Sequence, residues 1–187
     1  GRGHRAKGSS RLRIGIVGHS GGWHTTALRR ALSRRGIEAP FFDITRLTAR
    51  ISHRPWLTAD EADLESFDVV FVRLIPGGSL EQIIFRVDAF HRLENAGVRV
   101  INSATTIERT VDKFYTSTLL EDVGLPTPRT VVTERSDAAM EAFHALGEDV
   151  VVKPLFGSEG RGMVRVTDPD VAHRVFRALD LSRYVYY

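Results

Sequence analysis

Apolar positions along the chain follow two periods in turn. Arg13-Ile14-Gly15-Ile16-Val17-Gly18 is a short apolar run closed by glycine, and Leu28, Ala31 and Leu32 recur at helical spacing within Thr25 to Arg35. This predicts a strand, a turn and a helix. Ala39 to Ile44 and Asp68 to Leu74 predict a second and a third strand. The unbroken apolar character of the third suits a strand covered on both faces, hence a parallel sheet. Ser79-Leu80-Glu81-Gln82 has capping-box spacing and opens a helix whose stripe is Leu80, Ile83, Ile84, Val87 and Phe90, ending before Gly97. Val98 to Asn102 is the fourth strand, and strands alternating with helical crossovers predict an open α/β sheet.

The texture changes after Asn102. Thr105 to Glu108 has capping-box spacing, and a helix from Asp112 to Val123 is stopped by Gly124-Leu125-Pro126-Thr127-Pro128. Strand Arg129 to Thr133, helix Asp137 to Leu146, strand Asp149 to Lys153 and a loop from Leu155 to Gly162 follow. Strand Met163 to Val166, a helix from Pro169 to Leu179 and a strand from Arg183 to Tyr187 complete the pattern. No internal repeats are visible. The organisation expected is a disordered basic tail over 1–12, an α/β domain over 13–103 and an α+β domain over 104–187. The run Tyr184-Val185-Tyr186-Tyr187 stops in apolar strand residues without a turn or cap, so the 187 residues are expected to be the front portion of a longer protein.

Charge and composition narrow the function classes. The formal charge is +3, but Arg2, Arg5, Lys7, Arg11 and Arg13 precede any acid, and the remaining 21 basic against 23 acidic side chains leave the rest at −2. The basicity belongs to the tail, so a nucleic-acid partner is not expected. There is no cysteine, which excludes disulfides, thiolate zinc sites and a cysteine nucleophile. The sequence has no run approaching the roughly 18–20 apolar residues that cross a bilayer and no secretory h-region; a cytoplasmic protein without membrane contact is expected. Only Lys7, Lys113 and Lys153 are lysines among 26 cationic side chains, which draws attention to the two in the body, since an ammonium is a compact point charge where arginine is a rigid fork.

Both lysines sit in segments with chemical content. Val150-Val151-Val152-Lys153-Pro154-Leu155-Phe156-Gly157-Ser158-Glu159-Gly160-Arg161-Gly162 delivers a lysine to the end of a buried strand and follows it with a loop of three glycines. Such a loop lets backbone N–H groups converge on a phosphate, with the Ser158 hydroxyl and Lys153 ammonium beside them. It is neither a Walker A loop nor a dinucleotide fingerprint. In Asp112-Lys113-Phe114-Tyr115-Thr116, Lys113 and Thr116 share a helix face and can address one ligand. Gly18-His19-Ser20-Gly21-Gly22 lacks Gly-x-Gly-x-x-Gly spacing and reads as a plain turn rather than an NAD site. The seven histidines show no ligand spacing, so no transition-metal site is expected.

The two lysine segments together resemble the ATP-grasp superfamily, and within it the RimK-like α-L-glutamate ligases. Pro76 to Leu93 and the stretch through Val132 are similar to the members associated with tetrahydromethanopterin. The resemblance implies a Rossmann-like pre-ATP-grasp sheet followed by a partial, α+β ATP-grasp domain. It implies that Lys113 and Lys153 hold ATP phosphates and that Gly157, Ser158, Glu159, Gly160 and Gly162 close over the γ-phosphate, with Arg161 in a catalytic position. It further implies carboxylate-amine ligation: ATP phosphorylates a carboxylate, and an amine, expected to be that of glutamate or a similar amino acid, attacks the acyl phosphate on an acceptor such as a pterin cofactor or a peptide C-terminus. Mg2+ ligands and the adenine hinge are expected beyond residue 187, so the chain alone is expected to be inactive. A homo-oligomer is compatible with the resemblance. Arg73, at the end of the third strand and before Pro76-Gly77-Gly78-Ser79, is the candidate for a substrate carboxylate, since ligands of open α/β sheets bind at the carboxyl ends of strands; Asn102-Ser103 occupies the equivalent place on the fourth. The alternative is a non-catalytic nucleotide-binding or interaction module that keeps the fold.

Overall fold

The structure is a computed structural model and describes residues 11–156, 162–182 and 185. The chain divides into two compact units, one ending at Ile107 and the other beginning at Glu108.

In the first unit, β1 (Ile14–Val17), β2 (Phe41–Phe42), β6 (Val69–Val72) and β7 (Arg99–Ile101) form a wholly parallel sheet in the order β2-β1-β6-β7. Helix α1 (Trp23–Ser33) connects β1 to β2, and α2 (Leu80–Asn95) connects β6 to β7. Helix α1 follows the expected periodicity, whereas on α2 the expected stripe residues Leu80 and Ile84 are exposed and the buried face runs instead through Arg86 and Leu93. Ile14 and Ile16 of β1 pack with Leu28 and Leu32 of α1, as well as Ala39, Phe41, Val69 and Phe71. The intervening β1 positions turn the other way, and there Gly15 is required: a Cβ would lie 2.6 Å from Phe42 Cε2, in a ring pair where Phe42 and Phe67 meet edge to face at 5.1 Å. On α2, Ile83, Val87, Phe90 and Leu93 are buried. The capping box forms as its spacing predicts, the Gln82 amide donating to Ser79 Oγ and the Ser79 amide to Gln82 Oε1.

Between β2 and β6, where the periodicity assigns no element, the chain makes an antiparallel meander of β3 (Leu47–Ala49), β4 (Leu57–Ala59) and β5 (Ala62–Asp63). The tripeptide Leu-Thr-Ala occurs in both β3 and β4 and places Thr48 opposite Thr58; three residues are too short to register as a repeat or as an alternating strand. Trp56 at the start of β4 is flanked by the guanidinium carbons of Arg54 and Arg92, 4.3 and 3.8 Å from its ring centre, which fastens the meander to α2 through cation–π contact.

Helix α3 (Ala104–Val111) begins earlier than the Thr105–Glu108 spacing suggests. Ser103 takes the cap, its Oγ accepting from the Thr106 amide at 3.2 Å, so Thr105 already lies within the first turn. The second unit continues with α4 (Lys113–Asp122), α5 (Ser136–Ala145), the antiparallel pair β8 (Val150–Val152) and β9 (Val164–Val166), and α6 (Pro169–Leu181). Ala139 and Phe143 of α5, Val152 and Val166 of the strands, and Ala172 and Phe176 of α6 form its core. The strand expected at Arg129 to Thr133 is absent, apart from an isolated bridge at Thr133. Pro126 and Pro128 have no N–H to offer a ladder, and Thr130 Oγ1 donates back to the Pro128 carbonyl while Arg129 reaches the Ala145 carbonyl. The tail before residue 11 and all of the expected strand at Arg183–Tyr187 except Val185, which is not in a strand, lie outside the described residues. No helix among the described residues is long and apolar enough to cross a membrane.

Candidate functional site

In the second unit, two sequence-distant ammonium groups lie within electrostatic reach of each other. The Asp112 carboxylate caps α4 by accepting from the Tyr115 amide at 3.0 Å; this sets Lys113 at the first helical position. Both the Lys113 amide, at 3.3 Å, and its Nζ, at 3.4 Å, donate to the Leu155 carbonyl. Lys153 leaves the end of β8 two residues earlier. Partial burial, and then the Lys153 charge, hold the Lys113 ammonium below the ordinary lysine range against the opposing pull of Asp112. Two like charges brought within mutual influence beside a loop are stabilised by an anion between them. Thr116 does not join them: its hydroxyl donates to the Arg109 and Asp112 carbonyls at 2.7 and 2.8 Å and so closes the α3–α4 junction.

The candidate residues Gly157, Ser158, Glu159, Gly160 and Arg161 lie outside the described residues. Gly162 is described, with φ +76° and Pro154 Cγ 3.4 Å from where a Cβ would stand, so it holds a left-handed conformation against the residue that follows Lys153. A cavity of about 590 Å3 between the Pro126–Val131 segment, α5 and β8 has Lys153 in its lining.

In the first unit, Arg73 lies where its strand predicts. The sheet order reverses between β1 and β6, and a crevice of about 360 Å3 opens at the carboxyl end of the sheet, lined by Phe71, Val72 and Arg73 of β6 and its exit, Ile101 and Asn102 of β7 and its exit, and Trp23 and His24 at the start of α1. A crevice at such a switch point is where open α/β sheets take ligands. The Arg73 amide donates to the Val17 carbonyl at 2.9 Å, which ties the residue to β1. Trp23, 76% exposed and edge-on to His24 at 4.9 Å, is a lining residue the sequence does not single out; its only signal is a tryptophan directly after the Gly18–Gly22 turn. Among the described residues no group of three or more His, Asp or Glu is placed to hold a metal ion. The Lys113 and Lys153 ammonium groups are positive charges suited to anionic oxygens such as those of a phosphate.

The RimK PreATP-grasp domain family matches residues 12–107. The chain is 33% identical over 154 residues to the tetrahydromethanopterin:α-L-glutamate ligase of Methanosarcina acetivorans, an overlap covering 80% of this chain and 47% of that protein. Among solved structures, a RimK domain ATP-grasp protein from Sphaerobacter thermophilus superimposes with a TM-score of 0.73 at 21% identity, covering 94% of this chain and 62% of that one. The ATP-grasp ligase PsnB, complexed with minimal precursor, Mg and ADP, gives a TM-score of 0.60 at 22% identity, covering 94% of this chain and 65% of that one. The fold is that of the ATP-grasp proteins, and the chain spans about half the length of the ligases it matches.

Proposed function

The chain belongs to the RimK pre-ATP-grasp family, and from that premise we propose that the protein it represents is an ATP-dependent ligase that joins L-glutamate to the carboxylate of an acceptor. The observation that carries the reading is that the Lys113 Nζ donates to the Leu155 carbonyl, two residues after Lys153, and feels the Lys153 charge. In this reading a carboxylate oxygen of the acceptor attacks the γ-phosphorus of ATP and ADP departs. The free amine of glutamate then attacks the acyl carbon, the acyl C–O bond to phosphate breaks, and the proton lost by nitrogen leaves with the phosphate as the amide forms. Charge develops on phosphate oxygens in the first step, and the two ammonium groups neutralise it in place, with no side-chain nucleophile required. Magnesium supplies further neutralisation when bound, as the PsnB complex with Mg and ADP suggests. Arg73, in the crevice of the first unit, takes a carboxylate of glutamate through its planar fork.

The test is ADP release by the full-length protein with Mg2+, ATP, L-glutamate and, as first acceptor, tetrahydromethanopterin, the substrate in the names of the similar ligases. Lys153→Ala is expected to lower turnover by about 100-fold or more, the scale of removing one preorganised charge-stabilising group. Full activity in that variant would remove Lys153 from the mechanism, and a full-length protein that binds ATP without turnover on any acceptor would favour the non-catalytic module.

A further inference from the structure

We infer that Arg86 is a positioning residue for the Arg73 crevice: its buried guanidinium holds the backbone of the loop between Arg73 and α2. Arg86 occupies the apolar stripe of α2, among Ile83, Val87 and Phe90, and is only 5% exposed. A charge in such a place is costly unless its donors are occupied. Its hydrogen bonds go to the Pro76 carbonyl at 2.7 Å and the Gly77 carbonyl at 3.5 Å, and to no carboxylate among the described residues.

The loop needs this support. Residues 74–78 have no regular structure and make no backbone–backbone hydrogen bond among the described residues. The loop is tied at one end by the Arg73 amide on Val17 and at the other by the Ser79–Gln82 cap; Arg86 grips its middle. Gly78 lies so close that a Cβ there would stand 3.3 Å from Arg86 Nη1 and 2.5 Å from Gln82 Oε1. A loop with two adjacent glycines has many conformations open to it, and fixing one of them fixes the direction in which Arg73 leaves β6. The charge on α2 is thus retained for the shape of the crevice rather than for the stability of the core.

The functional half of the inference rests on the reading of Arg73 as the glutamate contact, and the experiment separates the two. Arg86→Met, Arg86→Lys and Arg73→Ala are made in the full-length protein. The measurements are the melting temperature, backbone order parameters of Gly77 and Gly78, and the Kd of L-glutamate and of ATP. Arg86→Met is expected to melt at or above the wild-type temperature, since it replaces a buried charge by an apolar side chain of similar length. Its order parameters are expected to fall from the rigid range near 0.85 to below about 0.6, and its Kd for L-glutamate to rise about tenfold with that for ATP unchanged. Arg86→Lys is expected to recover part of both losses, keeping the charge without the fork. Unchanged order parameters in Arg86→Met would overturn the positioning role. An Arg73→Ala variant that binds L-glutamate normally would instead overturn the crevice as the glutamate site, and with it the functional meaning of Arg86.

Discussion

Lys113 carries the clearest electrostatic consequence of the fold. Burial and the neighbouring Lys153 disfavour its charged form, so its folded pKa lies below the value of 10.5 it has in the unfolded chain. Between those two values the unfolded state binds more protons, and stability therefore rises with pH across that interval. Below it both states are protonated and the full destabilisation is present. Lys113→Met is accordingly expected to be more stable than the wild type at pH 7, with the advantage shrinking as pH approaches 10.5, as read by urea denaturation at several pH values. The same residue illustrates what a sequence withholds: Asp112-Lys113-x-x-Thr116 marks Lys113 correctly as a cation at a helix start, but the pairing on one face suggests a shared ligand for Thr116, whose hydroxyl instead closes the turn onto Arg109 and Asp112.

At the scale of elements, two local devices can be tested independently of any activity. Ser79→Ala removes the acceptor of the Gln82 amide from the capping box of α2 and is expected to cost about 1 kcal/mol. Gly15→Ala drives a methyl into the Phe42 ring and is expected to cost about 1–3 kcal/mol through overpacking; a neutral result in thermal or denaturant unfolding would show that Phe42 and Phe67 can repack. The four parallel strands and their crossover helices are legible in the sequence because long apolar runs and 3.6-residue stripes are properties of contiguous segments. The β3–β5 meander is not, since its strands are two or three residues long and hold together by cross-strand pairing and the Trp56 contacts. Arg129 to Thr133 shows the converse: local strand propensity without a ladder, because the prolines and side-chain hydrogen bonds before it leave the segment without paired neighbours.

At the scale of the whole chain, the two units have separate cores. Ile16, with no exposure, lies in the first, and Phe143, 1% exposed, in the second. Ile16→Ala is expected to cost about 2–5 kcal/mol and Phe143→Ala about 3–5 kcal/mol. Because the clusters share no residue, the double variant is expected to lose the sum within about 0.5 kcal/mol in denaturant unfolding; a larger coupling would show that the cores are not energetically separate.

The sequence by itself determined the fold class, the family resemblance and the identity of the two lysines, because strand and helix periods, a lysine at a strand end and a Gly-rich loop are encoded in neighbouring residues. Only the tertiary packing brings Lys113 and Lys153, 40 positions apart in the chain, within electrostatic reach of each other, sets Arg73 in a crevice with Trp23 and Asn102, and turns Arg86 from the apolar stripe of α2 to the Pro76 and Gly77 carbonyls. These are relations between residues far apart in sequence, fixed by the packing of elements whose local signals do not contain them.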